Sequence, residues 1–386
     1  MATSVVDKLF IIIRDALAIE NLPADFSLTD DEAKAVFAMA KKHAIGQLID
    51  GAVSKMQAGS EASKANAAQI TPATKKEIRD SFLSAINADA RKSEALKKIS
   101  TAFEEAEIDF IALKWAYIKK LYPQEWMRTS SDVDILVRSQ DFDRACAKLI
   151  ELGYKKEIEW TNDISFYLNN VIHIELHHRL TGKKSSALSD IFAHSSLAQG
   201  SLHRCEIEPE YEYLYHVQHM AKHFKEKGCG IRFFIDLWLL NQKMPYDREK
   251  ILELLNAEGL ADFEKHAVNL SRMWLEGEEH PELTELSDFV TGSAIYGTKE
   301  QYVLLKRKKS GKSAYITKRI FLPYKTLARL YPSLKGKKFL TPLYEIKRIF
   351  DIIFKKEDAL DELKINSSIS EEDIKKITKL TDMLGI

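Results

Sequence analysis

Cysteine, glycine and proline are all scarce in this 386-residue chain, and neither sign of charge is in excess. Its three cysteines, Cys146, Cys205 and Cys229, are too few and too scattered for a disulfide framework or a paired-cysteine metal site. Only 15 glycines and 9 prolines punctuate the chain, which disfavours a turn-rich all-β protein and favours helices. Lys+Arg and Asp+Glu both number 57, which argues against a general nucleic-acid coat or a polybasic membrane binder and leaves only local patches. No apolar run approaches the roughly 18 residues that a membrane span needs. The segment Met1 to Asp7 lacks the basic-then-apolar layout of a secretory signal. A cytoplasmic protein with no membrane partner is therefore expected. A Gly-x-Ser-x-Gly elbow, a Walker A loop and a Rossmann glycine fingerprint are also absent, which removes several enzyme classes.

What is present is mostly helical periodicity. Leu9, Ile13 and Leu17, with Phe10 and Ile12, form an apolar stripe at helical spacing. Thr29 and Glu32 fit a capping box, in which each side chain satisfies the other residue's free amide. Thr71-Pro72 suits an N-cap followed by proline at the first helical position, and a long helix toward Glu107 is expected beyond it. Met56 to Ile70 between them reads as a loop. At Asp109 the pattern changes. Phe110 to Leu113 and Val133 to Val137 read as strands, and Asp141 to Leu152 as a helix closed by Gly153. Three further strands are expected over Tyr154 to Trp160, Ile164 to Leu168 and Val171 to Leu176, with Asn169-Asn170 as the hairpin turn. Helices resume from Glu210.

The carboxylates carry the chemistry. Strand residues i and i+2 share a face, so Asp132 and Asp134 converge while Val133 and Ile135 point to the core. Two converging carboxylates repel unless a cation lies between them, and a hard divalent ion such as Mg²⁺ suits oxygen ligands. Glu175 alternates with Ile174 and Leu176 on the last strand and offers a third carboxylate. Three carboxylates on adjacent strands match the needs of two-metal phosphoryl transfer.

Leu113-Lys114, Tyr122-Pro123, Arg128 and Asp132-Val133-Asp134-Ile135-Leu136-Val137 together resemble the core of the uncharacterised nucleotidyltransferase family within the DNA polymerase β-like superfamily. Glu175-Leu176-His177-His178-Arg179 is similar to its third-carboxylate strand, and His219-Met220-Ala221-Lys222-His223 with Gly230-Ile231-Arg232 and Asp236 to its helical signature. The resemblance implies an α+β fold: a small mixed-sheet core over 106–182, between an N-terminal helical region (1–105) and a C-terminal helical domain (183–280). A C-terminal extension, 281–386, would carry a basic loop and helices. It implies a Mg²⁺- or Mn²⁺-dependent enzyme that moves a nucleoside monophosphate from an NTP such as ATP to a hydroxyl acceptor. Asp132, Asp134 and Glu175 would be metal ligands and catalytic groups. Lys114, Arg128, Ser130 and Ser131 would meet phosphate, with Lys222, His223 and Arg232 across the cleft and Asp236 pairing with Arg232. One departure is plain: Trp115 follows Lys114 where the family usually has glycine. The alternative is accordingly an inactive member of the fold that binds a nucleotide or a partner.

Other features have rival readings. His216, His219 and His223 lie at i, i+3 and i+7 on one helical face, where they could ligate zinc or simply pack, and a zinc-dependent phosphohydrolase using them with Asp236 is a further possibility. Cys229, between two glycines, could be exposed. The basic run from Lys306 to Arg319 reads as a solvated loop, or as an arm for a polyanion such as RNA or an acidic glycan. Nucleic acid is possible there but not favoured, for no interleaved aromatics suggest base stacking.

Overall fold

The computed structural model describes residues 4–59, 64–65, 68–159, 163–181, 186–354 and 358–386. Helices α1 (Val5–Ala16), α2 (Asp30–Lys42), α3 (Ile49–Ala58) and α4 (Pro72–Glu105) precede the sheet. The capping box at Thr29 and Glu32 starts α2, and Thr71 caps α4 with Pro72 inside its first turn. Helix α3 runs through Met56 to Ala58, so the expected loop starts later than Met56. Trp160 and the 182/183 boundary lie outside the described residues.

The sheet comprises β1 (Phe110–Ala112), β2 (Val133–Val137), β3 (Lys155–Glu159), β4 (Asp163–Leu168), β5 (Ile172–His177), β6 (Ser195–Leu197) and β7 (Arg204–Ile207). Its order is β3-β4-β5-β2-β1-β7-β6. Strand β2 runs antiparallel to β1 and parallel to β5, while β7 runs parallel to β1. Asn169 and Asn170 turn the β4–β5 hairpin with φ of 52° and 55°, a left-handed pair that asparagine tolerates. The sheet is thus mixed, and the fold is α+β. It extends past the expected 182 boundary, because β7 pairs with β1 and seals that edge.

One face of the sheet buries Phe110, Val133, Ile135, Val137, Phe166 and Ile174 against Ile99 and Phe103 of α4 and Ala145 and Leu149 of α5 (Phe142–Glu151). The opposite face turns toward α6 (Pro209–Glu226) and α7 (Ile231–Lys243). These two pack with α8 (Arg248–Glu258), α9 (Ala261–Leu275) and α10 (Thr284–Thr291). The N-terminal helices belong to the same apolar core: Phe10 of α1 stacks on Trp274 of α9 with centroids 4.8 Å apart. Residues 5–58 therefore do not form a core of their own.

The chain then continues as α11 (Lys299–Ser310), α12 (Lys312–Ile320), α13 (Tyr324–Leu330), α14 (Thr341–Phe354), α15 (Asp358–Ser368) and α16 (Glu371–Met383). The basic run is thus helical rather than a loop. Arg307 within it is buried, and donates to the carbonyls of Asn366 and Ile369 and to Glu371.

His43, directly after α2, holds the front of α7. Its Nδ1 accepts from the Ile231 amide at 3.2 Å and its Nε2 donates to the Thr291 carbonyl at 3.2 Å. Gly230 makes this approach possible, since a Cβ there would stand 2.6 Å from His43 Nδ1 and 2.9 Å from the Ala294 carbonyl oxygen. Backbone cannot yield that space cheaply. Gly230→Ala should cost about 2 kcal/mol or more of stability, read as a lower urea midpoint at unchanged slope. A variant as stable as wild type would show that this junction is loose.

Candidate active site

The register of β2 and β5 builds the site. Asp134 sits opposite Glu175 in the parallel pair, and Asp132 leads into β2. Alternation then aims His173, Glu175 and His177 toward one side of β5. Possible ligand atoms of Asp132, His173 and Glu175 lie within 4.8 Å of one another, as do those of Asp134, Glu175 and His177. The imidazoles went unnoticed in the sequence, although their spacing of two on either side of Glu175 was a legible signal.

The carboxylates differ in environment. Asp134 is buried, and its Oδ1 accepts from Lys114 Nζ at 2.7 Å and His177 Nε2 at 3.0 Å. Burial alone would raise its pKa, but Lys114 and His177 outweigh that and hold it well below the usual carboxylate range. Asp132 accepts from Ser130 Oγ at 2.7 Å. Glu175 has His177 Nε2 only at 3.7 Å, and burial, with Asp134 and Asp132 nearby, pushes it up to about 7. Lys114 remains charged: burial opposes its ammonium, yet Asp134 raises it well above the ordinary lysine value.

Lys114 adopts φ 46°, a left-handed conformation unusual for a side-chain-bearing residue. Trp115, at the position expected for glycine, has no such backbone. Its indole is buried under the sheet, with Lys119 Nζ 4.3 Å from the ring centre, and it does not line the cleft. Lys92 of α4, also missed in the sequence, has its Nζ 5.9 Å from the centre of this ring and donates to the Ser130 carbonyl. Burial lowers its pKa to about 8. A lysine in phase with Ile78, Ala85 and Ile99 on the buried stripe was the available clue.

Arg128 is anchored rather than free. It donates from Nη2 and Nε to Asp236 Oδ2 at 2.9 and 3.2 Å, and from Nη1 to the Thr129 carbonyl at 3.1 Å. Tyr122 donates its hydroxyl to Asp236 Oδ1 at 2.7 Å. Asp236 therefore orients Arg128, not Arg232 as its i+4 spacing suggested. Arg232 instead donates to the Thr129 carbonyl at 2.9 Å.

All ten expected site residues line one cleft of about 830 Å³: Lys114, Arg128, Ser130, Ser131, Asp132, Asp134, Glu175, Lys222, His223 and Arg232. Tyr215, Phe233 and Tyr296, none of them expected at the site, line it too, as do Lys306 and Lys309 of the basic run. The Tyr296 ring lies 5.0 Å from that of His223 and 6.1 Å from that of Phe233, an aromatic patch facing the carboxylates' side of the cleft.

The helical histidines do not form a metal set among the described residues. His216 bonds the Phe233 carbonyl at 3.2 Å, and His219 and His223 bond each other through Nε2 at 3.1 Å. With Asp236 held by Arg128, the phosphohydrolase arrangement lacks its carboxylate. Cys229 is fully buried, not exposed.

The model of the uncharacterised nucleotidyltransferase family matches residues 29–276, from the cap of α2 to just past the end of α9. The chain belongs to this family. No curated protein and no solved structure matches it. The family match includes every expected site residue and His43, and ends before Thr291, Tyr296, Lys306 and Lys309.

Removing Asp236's charge strands a buried guanidinium. Asp236→Asn should cost about 3–5 kcal/mol in chemical denaturation, the usual penalty for breaking a buried pair from one side. A loss under about 1 kcal/mol, typical of solvent-exposed pairs, would mean that water reaches Arg128.

Proposed function

We propose that this protein is a metal-dependent nucleotidyltransferase that moves a nucleoside monophosphate from an NTP to a hydroxyl acceptor and releases pyrophosphate. The observation that carries this is the register pairing of Asp134 with Glu175 beside Asp132, in a cleft whose other wall is basic. The donors fit a divalent ion: Glu175 shares one group of possible ligand atoms with Asp132 and His173 and another with Asp134 and His177, and burial beside the two aspartates pushes its pKa up to about 7. Asp132, Asp134 and Glu175 would hold it. Mg²⁺ or Mn²⁺ bound there supplies charge neutralisation for the triphosphate and makes the acceptor hydroxyl more acidic.

The chain's own groups divide the remaining work. Arg232 and Lys222, with Lys306 and Lys309, present positive charge to the phosphates. Asp236 pairs with Arg128, while the buried Arg232 donates to the Thr129 carbonyl and keeps a positive charge that an anion would offset. Ser130 and Ser131 offer hydroxyl and amide donors beside Asp132. Tyr296 and Phe233 provide ring faces for a base. The acceptor oxygen forms its bond to the α-phosphorus as the bond to pyrophosphate breaks, and Glu175 takes the hydroxyl proton.

One observation favours the inactive reading. Lys114 Nζ already sits 2.7 Å from Asp134, an internal cation on a ligand oxygen. Calorimetry of NTP binding with Mg²⁺ or Mn²⁺ separates the two. Wild type should bind only with metal, and the Asp132→Asn, Asp134→Asn double variant should lose at least about tenfold in affinity. Folded wild type that binds no NTP with either ion would transfer the case to the inactive reading. Glu175→Gln should abolish turnover while keeping NTP binding, whereas unchanged turnover would remove Glu175 from proton transfer.

A pH dependence follows from Glu175. Metal must displace its proton, so affinity should fall about tenfold per pH unit below about 7 and level off above it. Titrating Mn²⁺ binding from acid to neutral pH measures this, and Glu175→Gln should flatten the profile. A flat wild-type profile would place the ion away from Glu175.

A further inference from the structure

The C-terminal arm carries a feature that nucleotidyl transfer does not use. Phe339, Leu343, Ile346, Phe350 and Phe354 are between 54% and 79% exposed; spacing of three and four places the last four on one side of α14, and Phe339 lies on the turn before it. The opposite side of the helix is fixed to the protein. Ile352 is buried there, Arg348 donates to the Arg319 carbonyl at 3.3 Å, and Asp351 accepts from the Tyr331 hydroxyl at 2.6 Å. The stripe is therefore held facing outward rather than left over from incomplete packing. Phe321 and Leu330, on the neighbouring turns, are about half exposed as well.

Charge around the stripe is one-sided. Residues 306–350 contain fourteen Lys and Arg against one acidic residue, Glu345, in a chain that is neutral overall. Lys318, Lys325, Lys335, Lys337, Lys338 and Lys347 are exposed around it. No described helix is long and apolar enough to cross a membrane.

We propose that α14 and the turn before it dock the protein onto an anionic phospholipid surface, with the phenylalanine, leucine and isoleucine side chains entering the interfacial layer and the lysines meeting headgroup phosphates. An in-plane helix with an aromatic and aliphatic face edged by lysine has the chemistry for this. RNA would use the lysines but leave the apolar ridge in water. A protein partner would have to offer an apolar groove edged by acidic side chains to cover both features. The expectation of no membrane partner rested on net charge and the lack of a spanning segment, and neither bears on peripheral binding.

The test is co-sedimentation of the full chain with vesicles of phosphatidylcholine and phosphatidylglycerol in equal parts, beside vesicles of phosphatidylcholine alone. Wild type should sediment with the mixed vesicles, weaken as salt is raised, and stay largely in solution with the neutral ones. An Ile346→Glu, Phe350→Glu variant should lose about tenfold or more in partitioning, and so should Lys335→Gln, Lys337→Gln, Lys338→Gln. Phe339→Ser, outside the helix and the most exposed of the five, should lose affinity with no change in circular dichroism or melting, which guards against a folding artefact. Wild type that ignores both vesicles, or an Ile346→Glu, Phe350→Glu variant that sediments like wild type, overturns the proposal. So does a wild-type dimer in sedimentation velocity that this variant dissolves without any vesicle binding, since the ridge then belongs to a second copy. Single-stranded RNA binding that needs the lysines but not Phe350, with no vesicle binding, overturns it in favour of a polyanion site.

Discussion

The buried pair of Arg128 and Asp236 ties the sheet to the helical half of the molecule. Arg128 precedes β2 and Asp236 lies inside α7, so their charges meet across the seam between the two layers. In a low-dielectric interior, neither charge tolerates being left alone, which makes the relative placement of the layers nearly all-or-none. Tyr122 adds a second bond to the same carboxylate, and Arg232 reaches back to the Thr129 carbonyl. The segment from 122 to 130 is thereby pinned at several points just before it delivers Asp132. The constraint extends further, since α7 starts at Gly230, where His43 bonds the Ile231 amide. A histidine near the N-terminus thus helps set the position of a carboxylate ninety residues later.

Within the sheet, the electrostatic problem is that Asp132, Asp134 and Glu175 converge on one cleft. Lys114 and His177 solve it for Asp134 and leave Glu175 to bear the repulsion, which is why the two paired carboxylates have pKa values pushed in opposite directions. The left-handed backbone at Lys114 belongs to the same solution. A residue in that region costs about 1–3 kcal/mol and persists only where its surroundings hold it. Here the holding groups are Asp134 on the side chain and the Tyr117 and Ile118 amides on its carbonyl. Trp115 anchors the turn from beneath, and its backbone needs no glycine, because the unusual torsion falls one residue earlier. The substitution that looked like damage in the sequence is a packing element facing away from the cleft.

Local signals accounted for most of the individual elements. The Thr29 box, the Thr71-Pro72 start, the Asn169-Asn170 turn and the alternation around Val133 each depend on neighbours within four residues, and each was readable for that reason. The strands β6 and β7 were not. They are three and four residues long, β6 pairs with β7, and the pairing of β7 with β1 spans about ninety residues, so periodicity had too little to act on. The site divided along the same line. Asp132, Asp134 and Glu175 stood out because charge interrupts apolar strands, while Tyr296 and Lys306 reach the cleft only through the packing of α11 and the turn before it. Asp236 misled for the converse reason: an i, i+4 spacing to Arg232 was a valid local signal, and the long-range Arg128 overrode it with better geometry.

Net charge was the least informative number in the sequence, because it averages fields that do not overlap. Outside residues 306–350 the chain carries thirteen more acidic than basic side chains, and within them the balance reverses by the same amount. Exposed charges are screened beyond about 8–10 Å at physiological salt, so the arm presents its own positive field and the body does not neutralise it at the surface. The cleft stands at the junction: Lys306 and Lys309, the first exposed members of the basic stretch, line its rim opposite Asp132 and Glu175. The same helix, α11, thus contributes cations to the cleft at one of its faces and leads into the basic arm at its end. An anionic donor and an anionic surface would then be met by adjoining parts of one charged segment, with the carboxylates confined to the wall where cations are needed.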